Sequence, residues 1–336
     1  MRIMITGGTG FIGYHSALAL LDAGHELCLL IRSEEKMRGL FGDRVIDYVV
    51  GDVTDEKKVR EALEGCNGVI HTAAMVSIDK KDNQRVHETN VGGTRLVVGN
   101  AVNMGVTDII YVSSVTALYN PKAKILNEHS PPGTANNAYG KSKVACEVYI
   151  RELQDKGAPI HITYPGSVIG PDDPALTEPH VGLQTCLKGL IPMMVGGSQW
   201  VDVRDIATAH CRLLELDLSP GRYPLGGHFL SWSALGDALG SLAGRRMIKI
   251  PVMGGVMRGV GRLVDSINAV LDTPLDIPVT HEAMVYASNW VKMDDTLAKT
   301  DLGLELRPVE ESLRDAIRSL VEAGHVSVKE AGDLIS

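Results

Sequence analysis

The stretch Thr6-Gly7-Gly8-Thr9-Gly10-Phe11-Ile12-Gly13 decides how the rest of this chain is read. The apolar run before it, Arg2-Ile3-Met4-Ile5, reads as a buried strand. After it, Ile12, Leu18, Ala19 and Leu21 recur at helical spacing from Phe11 to Ala23, and Gly24 is the stop signal. Strand, glycine turn and helix in succession is the context in which such glycines bind a dinucleotide. Gly7 suits the tight turn, Gly10 lets the backbone approach a pyrophosphate, and Gly13 lets helix and strand pack closely. The free N–H groups at Phe11 and Ile12, with the positive end of the helix, then face two phosphates.

At 336 residues the chain has room for one large or two modest domains. Its 44% hydrophobic and 22% charged residues are ordinary for a globular protein and leave no stretch that suggests disorder. A formal net charge of −8 argues against a general binder of nucleic acid or anionic membranes. An anionic cofactor must then be met by local donors. Cys28, Cys66, Cys146, Cys186 and Cys211 show no paired, metal-like spacing, so no metal site is expected. They read as small buried apolar residues in a reducing compartment. With a strand expected from the first residues, no signal peptide is expected, and no apolar run approaches the roughly 20 residues that span a bilayer. A cytoplasmic protein is expected.

Downstream, strand-like runs at Glu26–Ile31, Val45–Val50, Gly68–His71, Thr107–Ser113 and Ile160–Tyr164 alternate with helical patterns at Asp55–Glu64, Asn83–Met104 and Ala138–Lys156. That alternation predicts parallel strands joined by right-handed crossovers, a doubly wound α/β sheet of the Rossmann kind. From Pro165 on, proline and glycine become frequent and the alternation fades. Residues 1–165 are expected to form the dinucleotide-binding domain, and residues 166–336 mainly a smaller substrate lobe. Val201–Leu216 reads as a last strand-helix unit returning to the sheet. Helices are expected around Ser231–Ala243 and Met257–Leu271. The stripe Val256, Val260, Leu263, Val264, Ile267 and Val270 reads as core packing, with an oligomer contact such as a homodimer as the alternative.

Tyr139-Gly140-Lys141-Ser142-Lys143 is the second informative stretch. Tyr139 and Lys143, four apart on a predicted helix, share one face. A free tyrosine is a poor acid or base at neutral pH. A nearby ammonium, or a positively charged nicotinamide ring, favours the phenolate and makes proton transfer useful. Lys143 can also hold a cofactor ribose hydroxyl. The strand ending Tyr111-Val112-Ser113-Ser114 would aim hydroxyls into the same crevice as the glycine loop, because ligands of open parallel sheets sit beyond the strands' carboxyl ends.

With these residues in hand, the chain resembles the extended short-chain dehydrogenase/reductase family over nearly its whole length. The matching pieces are the glycine stretch, Gly51-Asp52-Val53, His71-Thr72-Ala73-Ala74, Asn90-Val91-Gly92-Gly93-Thr94 and Tyr111-Val112-Ser113-Ser114. Tyr139-Gly140-Lys141-Ser142-Lys143, Pro165-Gly166-Ser167-Val168-Ile169-Gly170-Pro171 and Val201-Asp202-Val203-Arg204-Asp205 complete the set. The resemblance implies that Tyr139 is the acid/base and Lys143 its partner. It also implies that Asp52 and Val53 meet the adenine and that Ala73 and Ala74 line the cofactor. Asn90 would brace the active-site helix, and Pro165, followed by Ser167 and Val168, would form the wall behind the nicotinamide. The catalytic hydroxyl is not unique: Ser114 fits the reductase-like branch, with Ser113 and Thr116 as alternatives.

An acidic residue about 20 positions past the glycines usually holds the ribose 2′-hydroxyl. Here Ile31 stands at that place and Arg32 follows, with Ser33 and Lys36 nearby. A guanidinium suits a 2′-phosphate, so NADP(H) is expected over NAD(H). The resemblance implies a small-molecule enzyme that moves hydride between the nicotinamide and a carbonyl or secondary alcohol, like dihydroflavonol 4-reductase and cinnamoyl-CoA reductase. The alternatives are a nucleotide-sugar epimerase, for which Arg245, Arg246, Lys249 and Arg258 are candidate diphosphate ligands, and a catalytically silent dinucleotide sensor. A dehydratase would carry an Asp-Glu pair where this chain has Val115-Thr116, and is not expected.

Overall fold

A strand covered on both faces has no need of polar alternation. β1 (Arg2–Thr6) is such a strand, buried at every residue after Arg2. Ile3 and Ile5 point to one face of the sheet and Met4 to the other, each into a different core cluster. The structure, a computed structural model, describes residues 1–45, 47–77, 80–268 and 281–334. After β1 come α1 (Phe11–Asp22), β2 (Glu26–Ile31), α2 (Glu34–Phe41), β3 (Asp47–Val50), α3 (Glu56–Leu63) and β4 (Gly68–His71). Next are α4 (Asn83–His87), a π-turn (Glu88–Gly92), α5 (Gly93–Asn103), β5 (Asp108–Val112), α6 (Val115–Leu118), α7 (Ala138–Asp155) and β6 (Ile160–Pro165).

The chain continues through β7 (Ser167–Ile169), α8 (Glu178–Leu187), β8 (Leu190–Met193), β9 (Gly197–Asp202), α9 (Val203–Glu215), β10 (Arg222–Leu225) and β11 (His228–Ser231). It ends with α10 (Trp232–Leu242), β12 (Ile248–Pro251), α11 (Gly254–Asn268), α12 (His281–Ser288), α13 (Thr296–Asp301), α14 (Val309–Glu322) and α15 (Val328–Ala331).

Seven parallel strands in the order β10-β6-β5-β4-β1-β2-β3 form the main sheet, the doubly wound α/β architecture expected from the sequence. Strand order reverses between β1 and β4, so the crevice for a ligand opens beyond their carboxyl ends. One face is covered by a core cluster that includes residues of α1 and α9, the other by one that includes residues of α3, α5 and α7. α9 is tied to α1 by His210, whose Nδ1 lies 2.8 Å from the Ser16 hydroxyl.

Three expectations change. The long helix from Asn83 is interrupted by the π-turn at Glu88–Gly92. The strand of the predicted Val201–Leu216 unit belongs to a separate sheet, β11-β9-β7; only α9 packs on the main sheet, whose outer strand is β10. The apolar stripe on α11 is not core: Val256 (51%), Val260 (42%), Leu263 (60%) and Ile267 (38%) are exposed and only Val264 is buried. Val270, and the predicted helix end at Leu271, lie outside the described residues. No helix among the described residues is long and apolar enough to cross a membrane.

Candidate active site

The glycine loop is a cradle shaped by missing side chains. Gly7 has φ +70°, and a Cβ there would stand 2.5 Å from Thr72 Oγ1 and 2.7 Å from the Ala73 nitrogen. A Cβ on Gly13 would stand 2.2 Å from the Gly7 carbonyl oxygen. Gly10 differs: its Cβ would meet only that oxygen, at 3.3 Å. Gly10 is the N-cap of α1, which has no side-chain cap and no acidic residue in its first turn. α2, α3, α7 and α9 are each capped by their own Ser, Asp or Asn. An uncapped helix start behind a bare glycine surface fits a diphosphate.

On the far side of the crevice, Asn137 caps α7 by accepting from the Gly140 nitrogen at 2.6 Å. This sets Tyr139, half-buried, in the first helical turn and Lys143 one turn later on the same face. Lys143 is 5% exposed. Its Nζ donates to the Val112 carbonyl at 3.2 Å and lies 6.0 Å from the centre of the Tyr139 ring and 5.6 Å from that of Tyr111. Gly140 lets α6 and its turn come close, since a Cβ there would lie 3.3 Å from Thr116 Cγ2.

The three hydroxyls separate by environment. Ser113 is buried, and its hydroxyl donates inward to Glu147 Oε2 at 2.9 Å. Ser114 caps α6: its oxygen accepts from the Thr116 nitrogen at 3.2 Å, leaving its O–H able to donate. Thr116 is half-buried beside Gly140.

The remaining candidates lie at or just past the carboxyl ends of β2, β3, β4 and β6. Asp52 Oδ1 accepts from the nitrogen and hydroxyl of Thr54, at 3.0 and 2.8 Å. Val53 is buried against Gly93, where a Cβ would lie 2.7 Å from it. Ala73 is half-buried, its nitrogen bonded to Thr6 Oγ1 at 3.3 Å, and Ala74 is exposed. Arg32 is exposed just past the buried Ile31, and its side chain has no partner among the described residues. Ser33 caps α2, its hydroxyl oxygen accepting from the Lys36 nitrogen. Pro165 ends β6; Ser167 Oγ lies 2.7 Å from Ser198 Oγ, and the Val168 side chain belongs to the core. In the Val201–Asp205 motif, Val201 pairs with Val168 across β9 and β7, and the charged residues bond one another and the C-terminal segment. Asp202 caps α9 and takes two bonds from the Arg204 guanidinium, which also reaches Asp315, while Asp205 pairs with Arg307. Its charges anchor α9 to the C-terminal segment.

Two residues reveal more than their spacing does. His71, at the end of β4, has Nδ1 2.6 Å from the Thr6 hydroxyl and Nε2 3.0 Å from that of Thr94, which links the glycine turn to α5. Burial, and then the Lys143 cation, push its pKa down to about 3, so it is neutral. Glu147, fully buried two turns past Tyr139, draws in Ser113, Tyr164 and Arg151. An acid four residues past a lysine was the available signal; nothing in the sequence distinguishes it from a solvated one.

The sequence model of the NAD-dependent epimerase/dehydratase family matches residues 3–226. The chain belongs to that family, and through it to the extended short-chain dehydrogenases/reductases. It is an enzyme of NAD-dependent type. A Synechocystis sp. protein provisionally named dihydroflavonol 4-reductase is 28% identical, covering 97% of this chain and 96% of that one. The crystal structure of gox2253 is similar at TM-score 0.80 and 27% identity, covering 97% of this chain and 99% of the other. UDP-glucose 4-epimerase of Thermus thermophilus, solved in complex with NAD, shares the fold at TM-score 0.71 and 23% identity, over 96% of this chain and all of the other.

Proposed function

We propose that this enzyme is a reductase that uses NADP(H) to interconvert a carbonyl compound and a secondary alcohol, with Tyr139, Lys143 and Ser114 as its chemical groups. Residues 1–165, with α9, would hold the dinucleotide, and the rest mainly the substrate. The observation that carries this reading is Lys143: a nearly buried ammonium, fixed by the Val112 carbonyl, one helical turn from Tyr139. So placed, the ammonium stands beside the phenol that would exchange a proton with the substrate. When bound, the nicotinamide supplies or accepts the hydride. In reduction, Tyr139 gives its hydroxyl proton to the substrate oxygen while Ser114 donates a hydrogen bond to the same atom. In oxidation, Tyr139 takes the hydroxyl proton. Gly7, Gly10 and Gly13, with the N–H groups of Phe11 and Ile12, would hold the diphosphate, Asp52 and Val53 the adenine, and Lys143 a ribose hydroxyl.

Arg32 supports NADP(H): it is exposed, free of side-chain partners among the described residues, and stands where an acidic residue would hold a 2′-hydroxyl. The preference for reduction over sugar epimerisation is supported by three candidate cations that already bond protein groups. Arg245 donates to the carbonyls of Leu187 and Glu330, Lys249 bonds Asp237 and Ser233, and Arg258 bonds Ser288. Epimerase remains the second reading because Arg246 is exposed and the fold is shared with a UDP-glucose 4-epimerase. The absorption spectrum of the purified protein, followed by turnover with aldehydes, ketones and nucleotide sugars, separates the two. Net NADPH consumption with a carbonyl compound is expected. A co-purifying cofactor that never exchanges would overturn the reductase reading.

A further inference from the structure

Glu147 stands on the same face of α7 as Tyr139 and Lys143, one turn beyond the lysine, and is wholly buried. Its Oε2 accepts from the Ser113 hydroxyl at 2.9 Å; its Oε1 accepts from the Tyr164 hydroxyl at 2.5 Å and from Arg151 Nε at 2.6 Å. Ser113 immediately precedes Ser114, and Tyr164 immediately precedes Pro165. One carboxylate on the Tyr139 helix therefore holds the ends of two strands, β5 with the candidate hydroxyl and β6 with the candidate nicotinamide wall. Lys143 grips β5 one residue earlier, at the Val112 carbonyl. Arg151 supplies the charge that a buried carboxylate requires, and the two hydroxyls satisfy its other lone pairs.

We propose that Glu147, acting through Ser113, is a positioning residue that sets the Ser114 hydroxyl against Tyr139. This rests on the reading of Tyr139 and Ser114 as the chemical groups. A misplacement of about 1 Å at a reacting group costs on the order of a hundredfold in rate, whereas binding of a dinucleotide elsewhere in the crevice does not sense it. Ser113→Ala cuts the latch at its least disruptive point, leaving Glu147 with Arg151 and Tyr164. Ser113→Thr keeps a hydroxyl.

The test is a cycle of Ser113→Ala and Ser114→Ala, singly and together, in the full chain. It is read as kcat for NADPH oxidation with a panel of aldehydes and ketones and as NADPH affinity by fluorescence titration. Ser113→Ala is expected to lower kcat at least about tenfold with NADPH affinity within about twofold, and Ser113→Thr to restore most of it. In the Ser114→Ala background the same change is expected to cost nothing further. An equal loss in both backgrounds, or no loss in either, overturns the proposal. If Tyr139→Phe turns over like the wild type, or no panel compound is reduced, the reading beneath it fails instead.

Discussion

The side-chain amide nitrogen of Asn90 lies 2.9 Å from the hydroxyl of Ser142, which donates in turn to the carbonyl of Tyr139 at 2.7 Å. The same amide accepts from the Met75 nitrogen at 2.7 Å and donates to the Met75 carbonyl at 3.0 Å. One residue of the π-turn thus binds the loop that carries Ala73 and Ala74 to the first turn of α7. Such π-turns are often found at functional sites. Asn90→Ala strips partners from both Met75 groups and is expected to cost about 1–3 kcal/mol of stability. Thermal unfolding measures it, and an unchanged midpoint would count against the bracing role.

Acid should loosen the fold before the carboxylates titrate. His71 and His210 are fully buried, and burial, joined at His71 by Lys143, pushes each pKa down to about 3. The unfolded imidazoles take up protons below about pH 6.5, where the folded ones do not. The unfolded state therefore binds more protons in that window, and stability falls as pH drops through it. Each histidine contributes about 1.4 kcal/mol per pH unit once well below 6.5. Urea midpoints between pH 7 and 5 should decline, and His210→Gln should flatten that slope. A flat midpoint across the range would show that these imidazoles are not held neutral.

Arg32→Ala should weaken NADPH binding about ten- to a hundredfold and leave NADH nearly untouched, as expected for loss of a charge-assisted bond to a 2′-phosphate. Isothermal titration with both cofactors reads it directly. Equal effects on the two would leave Arg32 stacking on the adenine instead.

Gly10→Ala separates fold from binding. Its Cβ would meet only the Gly7 carbonyl oxygen at 3.3 Å, so the free protein should lose less than about 1 kcal/mol. The methyl group would nevertheless stand on the surface offered to the diphosphate, and dinucleotide affinity should fall at least about tenfold. Gly13→Ala, with a Cβ 2.2 Å from the same oxygen, should destabilise the protein itself. Full NADPH affinity in Gly10→Ala would remove the diphosphate from this loop.

The main-sheet strands β1 to β6 and the glycine loop were legible because both rest on local chemistry: continuous apolar runs and positions where a Cβ cannot fit. The π-turn was not legible, since the apolar spacing of residues 83–104 is that of an ordinary helix and the partners of Asn90, Met75 and Ser142, are distant in sequence. β10 and most strands of the side sheets were not legible because they lie in a stretch rich in Pro and Gly, as in Arg222-Tyr223-Pro224-Leu225; of β9 only its end at Val201 was. The stripe on α11 was visible, but amphipathicity says only that a helix has an apolar face, not what faces it. In the candidate site, spacing alone put Tyr139 and Lys143 on one face of a helix, as the structure has them, while their proposed roles came from the family resemblance. The separation of Ser113 from Ser114 needed Glu147, thirty-three residues from Ser114 in sequence, to be seen beside Ser113.

The most direct measurement compares wild type and Tyr139→Phe for NADPH oxidation with a responsive carbonyl compound, alongside NADPH binding by each. Removing the phenolic proton should lower kcat about a hundredfold or more, the usual reach of a general acid, while NADPH affinity stays within about twofold. A phenylalanine variant that keeps wild-type turnover would contradict the assignment of proton transfer to Tyr139.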